Sequence, residues 1–313
     1  MKNVLVVGAN CAWQKVLLFA NFQSEKINRA EKIYQFASGK GINFARAMKN
    51  YGKCEPHLIQ FSGGDAGDKI LKNLVLENIN CFNVAVGGET RVCTTCLNIE
   101  RNETTEIIEP SPNATIDNIT VFRNKCYDFL EQDNFGGVAI CGTLINGIST
   151  DLYFDIVKKS VENNKLVLLD TFRNMEKAFS LKSNSIILKI NRDELTELTG
   201  DKNVKSAMSN LQKTYQFKAI MITDGAEKSY LIDDNMAFYE FELLPLDKLV
   251  NPIGSGDTAS AVFLSEYLSS GDIIESCRLA LGAASANCRS IKCGDFDVDY
   301  AKSYAEKIRV YAK

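Results

Sequence analysis

The segment NPIGSGDTASA, residues 251–261, combines the groups that phosphate chemistry needs. Its Gly-Ser-Gly turn leads into a helical pattern of small apolar residues. The first backbone N–H groups of a helix lack intrahelical acceptors, and the helix dipole is positive at that end. We therefore predict that the backbone of Gly254, Ser255 and Gly256 forms an anion hole. The carboxylate of Asp257 stands at its mouth, where it can accept the proton of an attacking hydroxyl.

Two other interpretations of this segment stay open. In the first, the glycines only turn the chain and Asp257 only caps a helix. In the second, Gly254, Gly256 and Ala259 form the G-x-G-x-x-A pattern of a dinucleotide-binding fold. That pattern normally follows a strand directly in an early βαβ unit. Here it follows Asn-Pro late in the chain, and Glu275, the candidate ribose ligand, lies inside a helical pattern.

A second glycine-rich segment, ASGKGINFARAMKNYG, occupies residues 37–52. Gly39 and Gly41 flank Lys40 immediately before a helical pattern, so a phosphate could reach the lysine. A Walker-type loop would need Ser or Thr directly after the lysine, where this chain has glycine. Taken alone, the segment is equally compatible with a tight turn that carries an exposed lysine.

The composition is that of a soluble globular enzyme. The chain has 313 residues, of which 45% are hydrophobic and 24% charged, and its formal net charge is −3. This charge does not favour a nucleic-acid partner. No apolar run reaches the roughly 18 residues that a membrane helix needs. The apolar run near the start is too short for a secretory signal, so we expect a cytoplasmic protein with no membrane partner.

The cysteine and histidine usage argues against several chemistries. The chain has 10 cysteines and 1 histidine. With no secretory signal, reduced thiols are expected. Cys93 and Cys96 form C-x-x-C, but they lie in a predicted strand, where positions three apart point to opposite faces. No second pair stands at zinc spacing. A catalytic triad would have to use His57, the one histidine, which argues against that chemistry.

Short apolar runs alternate with helical patterns along most of the chain. This alternation predicts an α/β fold with a mainly parallel sheet covered by helices. The predicted strands are 4–7, 58–61, 138–141, 166–169, 186–190 and 219–223. The predicted helices are 68–77, 150–161, 204–215, 257–268, 272–290 and a final one over 298–308.

Two regions interrupt this rhythm. Residues 11–37 contain no good helical pattern, and residues 87–110 read as two strands around a polar turn at Arg101, Asn102 and Glu103. We predict that both regions form a small β-rich lid on one α/β domain that spans residues 1–313. Strand edges of such a lid often pair with a second copy, so we also expect a homodimer through the lid.

Further segments occur between the two glycine-rich ones. They are GETR (88–91), EIIEPSP (106–112), CGTLING (141–147), LDTF (169–172), KINRDEL (189–195) and TDGAEK (223–228). In this order, the whole set resembles the ribokinase/PfkB-like carbohydrate kinase family. The resemblance is closest to the branch of 1-phosphofructokinase and tagatose-6-phosphate kinase. It covers nearly the whole chain and implies a ribokinase-like fold.

The resemblance implies transfer of a phosphoryl group from ATP, with Mg²⁺, to a hydroxyl of a phosphorylated sugar. Such a sugar is fructose 1-phosphate or tagatose 6-phosphate. Asp257 would be the catalytic base, beside the anion hole of residues 254–256. Arg29, Lys40 and Arg91 would bind the phosphate already on the sugar, and the arginine fork suits a pair of phosphate oxygens.

The other site residues also follow from the resemblance. The implied sugar contacts are Gln14, Gly39, Gly41, Asn43 and Thr143. The implied nucleotide contacts are Lys189, Thr223, Gly225 and Asn287. Asn191 and Glu194 would organise Mg²⁺, through water.

One departure from the family pattern leaves the substrate open. The family has an aspartate that holds sugar hydroxyls in an N-P-x-x-D context, and Gln14 stands at that position here. A neutral amide donates and accepts hydrogen bonds but carries no charge. Two alternatives therefore remain beside the phosphosugar kinase. One is a kinase of an unphosphorylated sugar or nucleoside, and the other is a non-catalytic regulator that binds a sugar phosphate.

Overall fold

Strands and helices alternate along most of the chain. The computed structural model describes residues 1–101 and 103–313, so Asn102 of the predicted hairpin turn lies outside the described residues. In chain order the elements are β1 (Lys2–Asn10), β2 (Ala12–Phe19), β3 (Lys32–Ser38), α1 (Lys40–Tyr51), β4 (Cys54–Ser62), α2 (Gly64–Leu76), β5 (Asn80–Ala85), β6 (Val92–Asn98), β7 (Glu103–Ile108), α3 (Ile116–Leu130), β8 (Phe135–Cys141), α4 (Asp151–Glu162), β9 (Leu166–Asp170), α5 (Glu176–Phe179), β10 (Ile186–Asn191), α6 (Arg192–Thr199), α7 (Val204–Tyr215), β11 (Ala219–Asp224), β12 (Lys228–Asp233), β13 (Phe238–Glu242), α8 (Ser255–Ser270), α9 (Ile273–Asn287), α10 (Val298–Ala305) and β14 (Arg309–Ala312).

The larger of two sheets has ten strands in the order β14-β13-β12-β11-β10-β9-β8-β1-β4-β5. The neighbours from β11 to β5 in this order pair in parallel. The strands from β11 to β14 pair antiparallel. The prediction of an α/β fold with a mainly parallel sheet is therefore confirmed.

Helices cover both faces of this sheet. On β1, Val4 and Val6 face a layer built by α1, α2, α8, α9 and α10. Leu5 and Val7 face the opposite layer, built by α3 to α7. Because both faces are buried, residues 4–7 of the strand are all apolar instead of alternating with polar residues. The two helix layers pack against both faces of β1, and this packing fixes the position of its carboxyl end.

The smaller sheet, here called the lid sheet, has four strands in the order β3-β2-β6-β7. The predicted hairpin is present, since β6 and β7 pair antiparallel. One face of the lid sheet, its inner face, packs Val16, Phe36 and Leu97 against Cys293 and Ile253 of the main body. Because side chains alternate between the faces of a strand, Ile33 and Ile107 lie on the opposite, outer face and are exposed.

The end of the chain differs from the prediction of one final helix over 298–308. The helix α10 ends at Ala305, and residues Arg309–Ala312 form β14, which pairs with β13. Ile308 continues the helical spacing of buried residues, and it is 5% exposed, but it lies in the turn between the two elements. The unpaired backbone groups at the edge of β13 give the last residues acceptors and donors that a helix would not use.

Capping side chains explain smaller shifts in the helix boundaries. The predicted helix 272–290 begins one residue later because Asp272 is its N-cap, and its carboxylate accepts the N–H groups of Ile274 and Glu275. It ends at Asn287. Within the described part of the chain, no helix combines the length and the apolar character needed to cross a bilayer.

Candidate active site

The candidate site residues, whether or not the sequence indicated them, lie mostly at one edge of the main sheet. Asn10, Asp170, Asn191 and Thr223 are at or next to the carboxyl ends of β1, β9, β10 and β11. The carboxyl ends of neighbouring parallel strands share one sheet edge, where α/β proteins bind their ligands. The two glycine-rich segments, which the sequence could only propose to be neighbours, meet at this edge. Asn43 of the first donates a hydrogen bond to Asp257 of the second.

Gly254 makes the predicted anion hole possible. It is the N-cap of α8 with φ 79°, a left-handed conformation that favours glycine. A Cβ at this position would lie 2.5 Å from the Cβ of Cys293. The N–H of Ser255 donates to the carbonyl of Pro252 at 3.3 Å. Within α8, the N–H groups of Gly256 and Asp257 have no acceptor among the described residues, and the N–H of Gly254 just before the helix has none either. These groups are therefore the donors free for an anion.

Asp257 is buried and held in one orientation. It is 7% exposed, and its Oδ2 accepts a hydrogen bond of 2.8 Å from Asn43 Nδ2. Asn43 is fixed in turn, because its Oδ1 accepts from the hydroxyl of Ser38. Burial and the nearby charge of Asp170 raise the pKa of Asp257 to about 6. The carboxylate is therefore ionised at neutral pH and more basic than an ordinary aspartate.

Asp170 is a site residue that sequence reasoning missed. It is 1% exposed, and its two oxygens accept hydrogen bonds from Lys40 Nζ and from the hydroxyl of Ser260, each at 2.9 Å. Burial opposes its ionisation, but the charges of Lys189 and Lys40 outweigh burial and lower its pKa. The available signal was an aspartate directly after the apolar run of β9, inside the segment LDTF.

Two lysines bring positive charge to the start of α8. Lys40 pairs with Asp170, and this ion pair together with Asp257 raises the pKa of Lys40 although burial opposes its charged form. Lys189 is 4% exposed on β10, and a Cβ on Gly256 would lie 2.8 Å from its Nζ. Both ammonium groups therefore lie close to the free N–H groups of α8, where a phosphoryl group would carry negative charge.

A cavity of about 250 Å³ opens beside this cluster. Its lining residues are Asn10, Lys40, Arg91, Cys141, Gly142, Thr143, Asp170, Thr171, Phe172, Arg173 and Glu194. The cavity thus joins the ends of β1, β8 and β9 to the start of α6 and to the lid sheet. Its charged groups are both basic and acidic, as a site for phosphates and a cation requires.

The three predicted phosphate ligands are placed differently. Lys40 and Arg91 line the cavity, but Arg29 is exposed in the loop between β2 and β3 and does not line it. The guanidinium of Arg91 donates to the carbonyls of Cys11 and Asn10, at 3.3 and 3.2 Å. Arg91 therefore also holds the loop from β1 to β2 in place.

The predicted sugar contacts divide into cavity residues and structural glycines. Thr143 lines the cavity, and its hydroxyl accepts a hydrogen bond of 3.3 Å from Asn10. Gly39 is the N-cap of α1 with φ 110°. Gly41 packs against β1, because a Cβ there would overlap the Cα of Gly8. Gln14 lies on the inner face of the lid sheet and is buried, with its Nε2 donating to Thr95 Oγ1.

The predicted magnesium residues form the N-terminal cap of α6. Asn191 Oδ1 accepts the N–H of Glu194 at 2.8 Å, and Glu194 Oε2 accepts the N–H of Asn191 at 2.9 Å. Glu194 lines the cavity together with Asp170. Among the described residues there is no cluster of three or more His, Cys, Asp or Glu at metal-binding distance. This donor set suits Mg²⁺, which usually keeps several waters and binds one or two carboxylates plus substrate phosphates.

The predicted nucleotide residues differ in their exposure to solvent. Thr223 lies near the end of β11, and Gly225 has φ 62° in the exposed turn to β12. Asn287 is 1% exposed, and its side-chain amide makes its hydrogen bonds to other groups of the protein. Its Oδ1 accepts from Thr258 Oγ1 and the N–H of Gly294, and its Nδ2 donates to the carbonyl of Ile253. The side chain of Asn287 therefore holds the loop before α8, which the sequence did not indicate.

The dinucleotide interpretation does not fit this geometry. The chain from β13, which ends at Glu242, to α8 contains no strand that leads directly into Gly254. Glu275, the candidate ribose ligand, lies in the first turn of α9, where its carboxylate pairs with Arg278. Both observations contradict the arrangement that the G-x-G-x-x-A pattern requires.

Comparisons with known proteins identify similar sequences and similar folds. The profile of the pfkB family carbohydrate kinases matches residues 1–299. A tagatose-6-phosphate kinase of Staphylococcus epidermidis is 29% identical over 248 residues, which are 77% of this chain and 77% of that protein. Phosphofructokinase-2 of Escherichia coli, in a crystal structure with fructose-6-phosphate, matches with TM-score 0.84 at 17% identity over 98% of this chain and 99% of that chain. A possible 1-phosphofructokinase of Thermotoga maritima matches with TM-score 0.87 at 18% identity over 99% of both chains. The predicted ribokinase-like fold is therefore confirmed.

The two glycines that cap α8 provide a matched test of how closely the loop before α8 is packed. Gly254 and Gly271 both have left-handed φ values, 79° and 72°. A Cβ on Gly271 meets nothing within 4 Å, whereas one on Gly254 meets Cys293. Gly271→Ala should cost roughly 1–2 kcal/mol of unfolding free energy through backbone strain alone. Gly254→Ala should cost about 1–3 kcal/mol more because the loop must move. Urea denaturation measures both, and equal losses would contradict the close packing of Gly254.

Proposed function

This chain belongs to the pfkB family of carbohydrate kinases, and we propose that it transfers the γ-phosphoryl group of ATP to a hydroxyl of a phosphorylated sugar. The observation that carries the proposal is the buried carboxylate of Asp257 at the start of α8. It lies beside two free backbone N–H groups and near two lysines. The family match and the tagatose-6-phosphate kinase relative support a phosphotransferase that acts on an alcohol group.

Asp257 acts as the general base in this proposal. The sugar oxygen attacks the γ-phosphorus, the bond from that phosphorus to the bridging oxygen of ADP breaks, and the hydroxyl proton passes to the Asp257 carboxylate. Asn43 holds the carboxylate by its 2.8 Å hydrogen bond. The pKa of about 6 leaves the base ionised at neutral pH while making it a better proton acceptor than a solvent-exposed aspartate.

The start of α8 stabilises the transferring phosphoryl group. The free N–H groups of Gly256 and Asp257 and the helix dipole both favour negative charge there. Lys189, held against Gly256, and Lys40 add full positive charges. Because these groups are buried or partly buried, water screens them less than at an open surface.

Glu194 and Asn191 would hold Mg²⁺, through water, at the cavity wall that Asp170 shares with Glu194. When bound with ATP, the cation would supply charge neutralisation at the phosphates. Thr223 and Gly225 would contact the nucleotide along the end of β11. Asn287 would act on the nucleotide site through the loop that it holds.

The substrate class rests on the lid side of the cavity. Arg91 and Lys40 line it and would bind the phosphate already on the sugar. Arg29, on the loop between β2 and β3, would join them if that loop closes over the sugar, as lids of kinases do. We therefore favour a sugar phosphate such as tagatose 6-phosphate or fructose 1-phosphate.

A kinase of an unphosphorylated sugar or nucleoside is the second candidate. Arg91 already donates to two carbonyls of the protein, and Arg29 does not line the cavity. The first observation reduces the number of Arg91 N–H groups that are free for a substrate phosphate, and the second leaves Arg29 without a contact to the cavity. We propose a cytoplasmic location for either enzyme, because all ten cysteines are free thiols and disulfides are typical of oxidising compartments.

The pKa of Asp257 predicts the acid limb of the pH profile. Since the base must be ionised, kcat should fall about tenfold per pH unit below its pKa of about 6 and stay flat above it. Asp257→Asn should lower kcat by about 10²–10⁴. The residual activity of this variant should lack the acid limb that belongs to residue 257. The same limb in both proteins would assign the titration to the phosphates of the substrates instead.

Arg91 tests the substrate class. A screen of tagatose 6-phosphate, fructose 1-phosphate, fructose 6-phosphate and the parent sugars, with coupled ADP detection, should select a phosphosugar. Arg91→Ala should raise KM for that phosphosugar about 10- to 100-fold, because charge-assisted hydrogen bonds are lost. KM for ATP should stay within about twofold. A rise that is equal for the phosphosugar and its parent sugar would favour the second candidate.

The lid sheet predicts a homodimer. Its edge strand β7 is exposed at every residue, and Ile33 and Ile107 are exposed on the outer face. Light scattering should give twice the chain mass of 34.7 kDa. Ile107→Lys should shift the protein toward monomer, whereas Val121→Lys, a similarly exposed position on α3, should not. A monomeric wild type at working concentration would contradict the dimer.

A further inference from the structure

A hydrogen-bonded chain crosses the inner face of the lid sheet. It joins Gln14 of β2, Thr95 of β6 and Glu106 of β7. Gln14 Nε2 donates to Thr95 Oγ1 at 2.7 Å, and Thr95 Oγ1 donates to Glu106 Oε1 in a longer bond of 3.5 Å. Thr95 is fully buried and Gln14 nearly so, whereas Glu106 is exposed. The chain therefore begins inside the sheet and ends at solvent.

The direction of these hydrogen bonds is set by the groups themselves. The hydroxyl of Thr95 has one hydrogen. Because its oxygen accepts from the amide of Gln14, its own hydrogen is free to point at Glu106. The chain thus runs from amide to hydroxyl to carboxylate. Thr95 holds one oxygen of Glu106, and the other oxygen carries no hydrogen bond among the described residues.

Glu106 faces the part of the body that carries the anion hole. It pairs with Thr95 in the register of β6 and β7, and therefore lies on the same inner face as Leu97, which packs against Cys293. The charge of Glu106 contributes to the raised pKa of the Cys293 thiol, after burial and Asp257. Cys293 is the residue against which Gly254 packs. The carboxylate therefore lies on the side of the lid sheet that faces Cys293 and the start of α8.

The chemistry of this position suits sugar hydroxyls rather than phosphate. A carboxylate only accepts hydrogen bonds and repels a phosphate, whereas Lys40 and Arg91 attract one on the cavity wall. We propose that Glu106 is a specificity residue that accepts hydrogen bonds from one or two hydroxyls of the acceptor sugar, with Thr95 as its positioning residue. It supplies the negative charge that Gln14 lacks. This inference rests on the proposed function, because it assigns the hydroxyl-binding half of the same site.

Substitutions on β7 separate this role from a general effect of charge. Glu106→Gln keeps the size of the side chain and removes its charge. It should raise KM for tagatose 6-phosphate at least about 10-fold, because hydrogen bonds to a charged carboxylate are stronger than those to a neutral amide, and leave KM for ATP within about twofold. Glu103→Gln is the matched control, since Glu103 is exposed on the outer face of the same strand. Equal kinetics for the two variants would overturn the proposal.

Substrate analogues identify the contact. The wild type is tested with analogues of tagatose 6-phosphate that each lack one hydroxyl. One analogue should have a higher KM than the full sugar, by about the factor by which Glu106→Gln raises KM for the full sugar. With Glu106→Gln, the same analogue should show little further rise. Thr95→Val, which removes the hydroxyl and keeps the shape, should raise KM for the full sugar less than Glu106→Gln does. Additive losses for every analogue would overturn the contact.

Calorimetric binding distinguishes failure of this inference from failure of the proposed function. If the wild type binds tagatose 6-phosphate but forms no ADP, the kinase proposal fails and the Glu106 proposal is judged from Kd alone. A Kd raised at least about tenfold in Glu106→Gln, with the Tm unchanged, supports it, and an unchanged Kd overturns it. If the wild type binds none of tagatose 6-phosphate, fructose 6-phosphate and fructose 1-phosphate, both proposals are overturned.

Discussion

The burial of two aspartates in one charged cluster is the constraint on which the candidate site depends. Asp170 and Asp257 both lie in the interior, and their mutual repulsion favours protonation of one of them. The groups that stabilise the two carboxylates are distributed unequally between them. Lys40 and Ser260 donate hydrogen bonds to Asp170, whereas the side chain of Asp257 accepts, among the described residues, only from the amide of Asn43. One carboxylate therefore stays ionised as a structural ion pair, and the other keeps a pKa suited to moving a proton.

Polar side chains, and not apolar packing alone, hold the loop before α8 in position through hydrogen bonds. Asn251 Nδ2 donates to the carbonyl of Ile291, and Asn287 connects Ile253 to Thr258 and Gly294. Arg46 adds a link to the lid sheet, since its guanidinium donates to the carbonyls of Ala37 and Cys293. Through these bonds the base of the lid sheet and the candidate anion hole are held by the same side chains.

Local patterns predicted the elements whose boundaries are set by neighbouring residues. The helix α7 has the predicted bounds, because Asn203 caps its start and Gln216 ends it in a left-handed conformation. The glycine-rich turn and Asp257 were likewise readable from adjacent residues. The role of Asp170 was not, because its partners Lys40 and Ser260 are 130 and 90 positions away. The strand β14 was missed because four residues carry too little periodicity to identify a strand that exists through pairing with β13.

The close approach of α1 to β1 has a consequence for how this scaffold can change. Gly8 and Gly41 touch backbone to backbone, so α1 rests on the sheet without intervening side chains. Lys40 and Asn43 flank that contact, which makes their distance from the sheet a property of the main chain. Side-chain substitutions elsewhere cannot change this distance in small steps. A larger residue at Gly8 or Gly41 displaces Lys40 and Asn43 together. A change of the sugar that is bound is therefore easier through the lid sheet, whose side chains can be substituted one at a time.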